Sequence, residues 1–157
     1  MEKEKWMKEA LKEAKKAFEI DEVPVGCVIV QDGKIIARGH NLREKTNDPT
    51  AHAEIVAIRK ATKKLSSWRL ENCDVYVTIE PCSMCAGALL WCRVRSITYG
   101  AKEPKGGALG SSYHLFEQPN LNHHPLFIGG VLEQEAAQLM TDFFKRKRNR
   151  VEMHIKG

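Results

Sequence analysis

Thr50-Ala51-His52-Ala53-Glu54 and Pro81-Cys82-Ser83-Met84-Cys85 are the two stretches whose joint reading decides the fold of this chain. Together they offer one imidazole, two thiols and one carboxylate. Zinc is held by thiolate and imidazole, and catalytic zinc sites keep three protein ligands and an open position for water. Cys82 and Cys85 are three residues apart and share one face of a helix. Pro81 suits the first helical position, where its missing N–H costs nothing. Both cysteines then fall in a first helical turn, where the dipole favours thiolate.

Working outward, a second helix is expected from near His52 to about Lys64. Asp48-Pro49 or Thr50 gives its start signal, and Ile55, Val56, Ile58 and Ala61 its apolar face. Two residues turn a helix by roughly 200°, so regular geometry does not aim His52 and Glu54 at one metal. A Cys-x-x-Cys alone also occurs in structural zinc knobs and redox motifs. Cys27, Cys73 or Cys92, or His40, His114, His123, His124 or His154, could complete a closed four-ligand site. That would make the chain a zinc-stabilised RNA-binding module without catalysis.

Met7, Leu11, Ala14 and Phe18 predict an opening amphipathic helix, and Leu132, Ala136, Leu139 and Phe143 a closing one. Val25 to Val30 and Ile35 to Arg38 read as strands joined at Asp32-Gly33, a hairpin signal. Asp74 to Thr78, Ser96 to Tyr99 and Leu126 to Ile128 read as three more strands, and the Cys82 helix is expected to reach Cys92. Gly106, Gly107 and Gly110 mark a loop. Strands interleaved with helices imply an α/β layered domain. Both metal motifs follow strands, which brings two helix starts to one end of the sheet.

A chain of 157 residues is about one domain, so residues 1–157 are read as a single zinc-dependent domain. No stretch approaches the ~18 apolar residues of a membrane span, and the charged start from Met1 to Lys16 has no signal-peptide core. Five cysteines form an odd set. Reduced thiols in the cytoplasm fit this better than disulfides. Lys145, Arg146, Lys147, Arg148 and Arg150 account for the whole formal charge of +5. Such a patch is an electrostatic footprint for a phosphate backbone, and equally a basic helix end that complements the dipole.

His-x-Glu followed by Pro-Cys-x-x-Cys is a motif already known from zinc-dependent nucleobase deaminases. Val23-Pro24-Val25-Gly26 through Asn41, Asp48 to Glu54, Thr78 to Ala88, Gly107 to Ser111, Leu121 to His124 and Asp142 to Lys145 extend the likeness. From about Trp6 to about Arg150 the chain resembles the bacterial tRNA-specific adenosine deaminases of the cytidine deaminase superfamily. It departs from their usual pattern at Leu109, Trp91-Cys92 and Pro125 to Phe127.

The resemblance implies a three-layer α/β/α cytidine deaminase-like fold with a five-stranded mixed sheet. It implies zinc on His52, Cys82 and Cys85, with Glu54 as proton shuttle. Asn41, Ala53 and Pro81 would line the base pocket. Lys105, Asn122, His123, Phe144 and Arg148 are the expected RNA contacts. The implied substrate is the wobble adenosine of a tRNA anticodon stem-loop, converted to inosine by a cytoplasmic homodimer with no membrane partner. The nearest alternative is a deaminase of a free base or nucleotide, such as guanine or deoxycytidylate, which has no use for the basic ending.

Overall fold

The chain opens with α1 (Glu2–Glu19), whose buried stripe of Met7, Ala10, Leu11, Ala14 and Ala17 follows helical periodicity. This is a computed structural model that describes residues 2–156; Met1 and Gly157 lie outside it, so those two ends of the expected 1–157 domain are not described. A hairpin follows, β1 (Gly26–Gln31) and β2 (Lys34–His40). Asp32 and Gly33 both take positive φ, 50° and 73°, as a two-residue hairpin turn requires.

Next come a one-turn helix α2 (Arg43–Thr46), α3 (Ala53–Leu65), β3 (Cys73–Ile79), α4 (Ser83–Trp91) and β4 (Ser96–Ala101). A 3-10 turn over Leu115–Glu117, β5 (Leu126–Ile128) and α5 (Glu133–Lys156) complete the order. The sheet runs β2-β1-β3-β4-β5. β1 is antiparallel to both β2 and β3, whereas β3, β4 and β5 are parallel. The result is the expected five-stranded mixed sheet in a cytidine deaminase-like α/β fold. No described helix is long and apolar enough to cross a membrane.

Strand alternation sorts the side chains into two cores. Cys27, Ile29, Val75, Val77 and Ile97 pack under α3 and α4, against Ala53, Ala57, Ala61, Ala86 and Leu89. On the other face Val28, Val30 and Tyr76 meet Trp6, Met7 and Ala10 of α1, and Ala136 of α5 joins Leu11 beside them. Phe143 is fully buried, edge-on to Phe18 at 6.1 Å. α2 and the 3-10 turn are the elements that the sequence pattern misses: three or four residues cannot show an apolar period.

β2 and β3 are each antiparallel to β1, so they run the same way and end at the same edge of the sheet. α3 lies so close over β2 that a Cβ at Gly39 would sit 2.5 Å from the Ala53 carbonyl and 2.7 Å from the Ala57 nitrogen. Only glycine permits that approach, and it seats the start of α3. Gly39→Ala is therefore expected to cost about 1–3 kcal/mol, as overpacking does, in urea unfolding followed by circular dichroism. A variant as stable as the parent would show that α3 is not seated this way.

Candidate metal and base-binding site

The helix at Pro81-Cys82 starts later than its sequence predicts. Pro81 is not the first helical residue: α4 begins at Ser83 and Cys82 is its N-cap, with extended φ −73° and ψ 175°. The reason is pairing with the following loop. The Pro81 carbonyl accepts the Ala108 N–H at 2.8 Å, and Cys82 forms an antiparallel bridge with Gly107. Cys82 thus precedes the helix and Cys85 lies in its first turn. His52 is likewise the N-cap of α3, extended at φ −72° and ψ 157°. The 200° mismatch with Glu54 disappears because His52 is not helical, and its ring is free to turn toward the cysteines.

The three donors meet. His52 Nδ1 lies 3.7 Å from Cys82 Sγ and 3.5 Å from Cys85 Sγ. All three ligand atoms fall within 4.8 Å of one another. Zn–N of about 2.0–2.1 Å and Zn–S of about 2.3 Å at tetrahedral angles put nitrogen and sulfur about 3.6 Å apart. The spacing fits a zinc ion. Among the described residues no fourth His, Cys, Asp or Glu belongs to the cluster.

The electrostatics are those of a shared-proton trio. A hydrogen bond from Cys85 brings Cys82 down to about 4, with His52 adding to the effect. That same bond and burial push Cys85 well above the usual thiol range. His52 is raised, chiefly by its bond to Cys82. A divalent ion placed there would displace these protons, since thiolate and neutral imidazole are the binding forms.

Glu54, in the first turn of α3, is 4% exposed and forms no ion pair among the described residues. Burial pushes its carboxyl up to about 7. Asn41, directly after β2, is buried, and its Oδ1 accepts the Ala53 N–H at 2.9 Å. It caps α3 from outside the helix, and it lines the same hollow of about 140 Å³ as His52, Glu54, Cys82, Val25 and Met140. Ala53 and Pro81 are buried alongside.

The remaining expected contacts lie apart from this cluster. Lys105 and Asn122 are exposed in loops. His123 Nε2 is 2.8 Å from the Val94 carbonyl, which ties that nitrogen to the protein. Phe144 is 41% exposed, and Arg148 is exposed on α5.

Two acids escape the sequence reading. Glu80 is 3% exposed and lines the hollow. Its carboxylate accepts the N–H groups of Glu103, Leu109 and Ser111 at 3.1, 2.9 and 3.1 Å, and also the Ser111 hydroxyl. It ties the 103–111 loop to the site. Glu22 accepts the N–H groups of Glu44 and Lys45 at the start of α2. Their partners are backbone groups distant in sequence, which leave no residue signal. Only the position of Glu80 beside Pro81-Cys82 could have pointed to it.

Such a fold, with three metal donors and a buried carboxylate at one sheet end, is that of a MafB19-like deaminase, whose family model matches residues 1–148. The chain is 48% identical over 147 residues to the tRNA-specific adenosine deaminase of Bacillus subtilis, covering 94% of this chain and 91% of that one. A solved structure from work on A-to-I editing by tRNA:A34 deaminases superposes with a TM-score of 0.82 at 49% identity, covering 85% of this chain and 96% of that one. A guanine deaminase of Bacillus subtilis superposes at 0.62 with 35% identity, covering 93% of each chain. The chain belongs to the tRNA-specific adenosine deaminase family.

Burial raises Glu80, but the hydrogen bonds it accepts more than offset this and hold it below the usual carboxylate range. The stability it contributes is complete above its unfolded pKa of about 4.3 and is lost as pH falls through the lower folded value. Glu80→Gln should cost roughly 1–3 kcal/mol near neutral pH. In urea titrations at stepped pH, the gap to the parent should close below about pH 4. A gap independent of pH would show that the charge is not what holds the loop.

Proposed function

We propose that this protein hydrolyses adenosine to inosine, with release of ammonia, at the wobble position of a tRNA anticodon loop. The observation that carries the reading is the meeting of His52, Cys82 and Cys85 at zinc-ligand spacing beside a buried, unpaired Glu54. The likeness to tRNA-specific adenosine deaminases supports the substrate. His52, Cys82 and Cys85 would hold one zinc ion per subunit, and bound zinc brings the pKa of water toward neutrality. Glu54 takes the proton of the attacking water, whose oxygen bonds to C6 of the purine. Glu54 passes that proton to the ring nitrogen, then takes the second proton from the new C6 hydroxyl and delivers it to the amine as the C6–N6 bond breaks. Among the described residues Glu54 has no cation to be released from at either transfer.

Asn41, the Ala53 backbone and the Pro81 ring line the pocket that receives the base. A base can enter such a hollow only when its nucleotide is out of the stack, which an anticodon loop supplies. Lys105, Asn122, His123, Phe144 and Arg148 are assigned to RNA contact, with Phe144 stacking on a neighbouring base. The enzyme acts as a single cytoplasmic deaminase domain, and five free cysteines suit a reducing compartment. It works as a homodimer; α4 carries no charged residue, and it leaves Met84 and Trp91 exposed to receive a second copy.

The test is inosine formation on an anticodon stem-loop bearing wobble adenosine, run beside free guanine, adenosine and dCMP. Conversion of the stem-loop alone is expected, and activity confined to small molecules would overturn the reading. Glu54→Ala should keep zinc by metal analysis and lose at least the roughly 10²–10⁴-fold that a general acid–base supplies. Cys82→Ser should lose the metal itself. Undiminished turnover in Glu54→Ala would remove it from the proton path.

A further inference from the structure

The five cations at the end of α5 are not one patch. Arg146 and Arg150 turn inward to the loop after α1. Arg150 Nη1 and Nη2 bind Asp21 Oδ2 and Oδ1 at 3.1 and 2.7 Å. Arg146 Nη2 reaches Asp21 Oδ1 at 3.3 Å and the Phe18 carbonyl at 2.9 Å. Its guanidinium also lies 4.0 Å over the Phe18 ring. Asp21 holds φ 65°, a left-handed backbone that aspartate tolerates better than most residues.

At 100° per residue, Phe144 and Arg148 lie about 160° from Arg146 on either side, on the opposite face of α5. Met140 precedes Phe144 by four residues on that same face, and Met140 lines the hollow of the site. A stripe of Met140, Phe144 and Arg148 therefore leads out of the pocket. It begins as pocket wall, continues as an exposed ring and ends at a cation with no acidic partner among the described residues.

We propose that Asp21 is a positioning residue for RNA: by fastening Arg146 and Arg150 to the loop after α1, it fixes the rotation of α5 and turns Phe144 and Arg148 toward the bound strand. An exposed ion pair contributes little to overall stability; what a two-arginine clamp on one carboxylate supplies is orientation. The inference rests on the tRNA reading above.

Charge alone predicts the opposite sign. Removing Asp21 deletes a negative charge and releases two arginines, so a purely electrostatic surface would bind RNA more tightly.

Asp21→Gly is the variant of choice, because glycine accepts the positive φ and cannot hold either arginine. It is expected to raise KM and Kd for the anticodon stem-loop about three- to tenfold, in the range by which a residue touching neither ligand modulates binding. Zinc content and kcat at saturation should stay at the parent value, and Asp21→Glu should recover most of the affinity. In an Arg148→Ala background the loss from Asp21→Gly should shrink, since the two act through one helix face. Equal or tighter binding by Asp21→Gly, a fall in kcat without change in KM, or full additivity with Arg148→Ala would overturn the proposal. A parent enzyme that ignores the stem-loop would instead overturn the tRNA reading, so the two failures are told apart.

Discussion

Everything at this site depends on two residues that stand just outside their helices. His52 and Cys82 are both N-caps with extended backbone, and each follows a strand ending at the same edge of the sheet. Were His52 one residue further into α3, its ring and the Glu54 carboxylate would point about 200° apart. The extended cap breaks helical phase at the required place. The local packing is arranged to hold it: Asn41 caps the first N–H of α3, and Gly39 admits the helix backbone against β2. The Cys82–Gly107 bridge fixes the other cap. The small side chains of Ala53, Ala57 and Ala61 under α3 follow from the same demand for close approach.

Four glutamates are buried: Glu13, Glu22, Glu54 and Glu80. Burying a carboxylate without partners drives it to neutrality. Glu13 answers with Lys16 and His40, Glu22 with two N–H groups of α2, and Glu80 with the 103–111 loop. Glu54 has no such cradle, and burial raises it to about 7. The contrast separates acids that fasten structure from one left able to exchange a proton. Glu80 and Glu54 line the same hollow and are displaced in opposite directions, Glu80 by hydrogen bonds accepted and Glu54 by burial.

What the sequence discloses depends on whether the signal is local. The apolar period of Met7, Leu11 and Ala14, the Asp32-Gly33 turn and the strand at Leu126–Ile128 are all readable within a few residues, and all stand where expected. The trio of candidate metal ligands is readable because its residue types are rare and its chemistry narrow. Pro81 misleads because proline's preference for a helix start is outweighed by the carbonyl bond to Ala108. Glu22 and Glu80 stay hidden because their partners, the Ser111 hydroxyl apart, are backbone amides, which nearly every residue possesses. Asn41 is legible as a residue after a strand, but its bond to Ala53 appears only when β2 and α3 come together.

The basic ending shows the same limit in electrostatics. A net charge of +5 concentrated in six positions reads as one surface for phosphate, yet a helix distributes consecutive residues around its whole circumference. Arg146 and Arg150 are consumed by Asp21, and Lys147 lies over the Phe143 ring at 5.2 Å. Arg146 and Arg150 are thus engaged with the protein itself, while Lys145 and Arg148 are exposed. Phe143 and Phe144 divide in the same way, one fully buried and one 41% exposed, their rings edge-on at 5.3 Å. On the tRNA reading proposed above, a helix that both closes the core and faces RNA needs its rotation fixed. Part of the charge in the cluster therefore addresses the protein's own loop after α1.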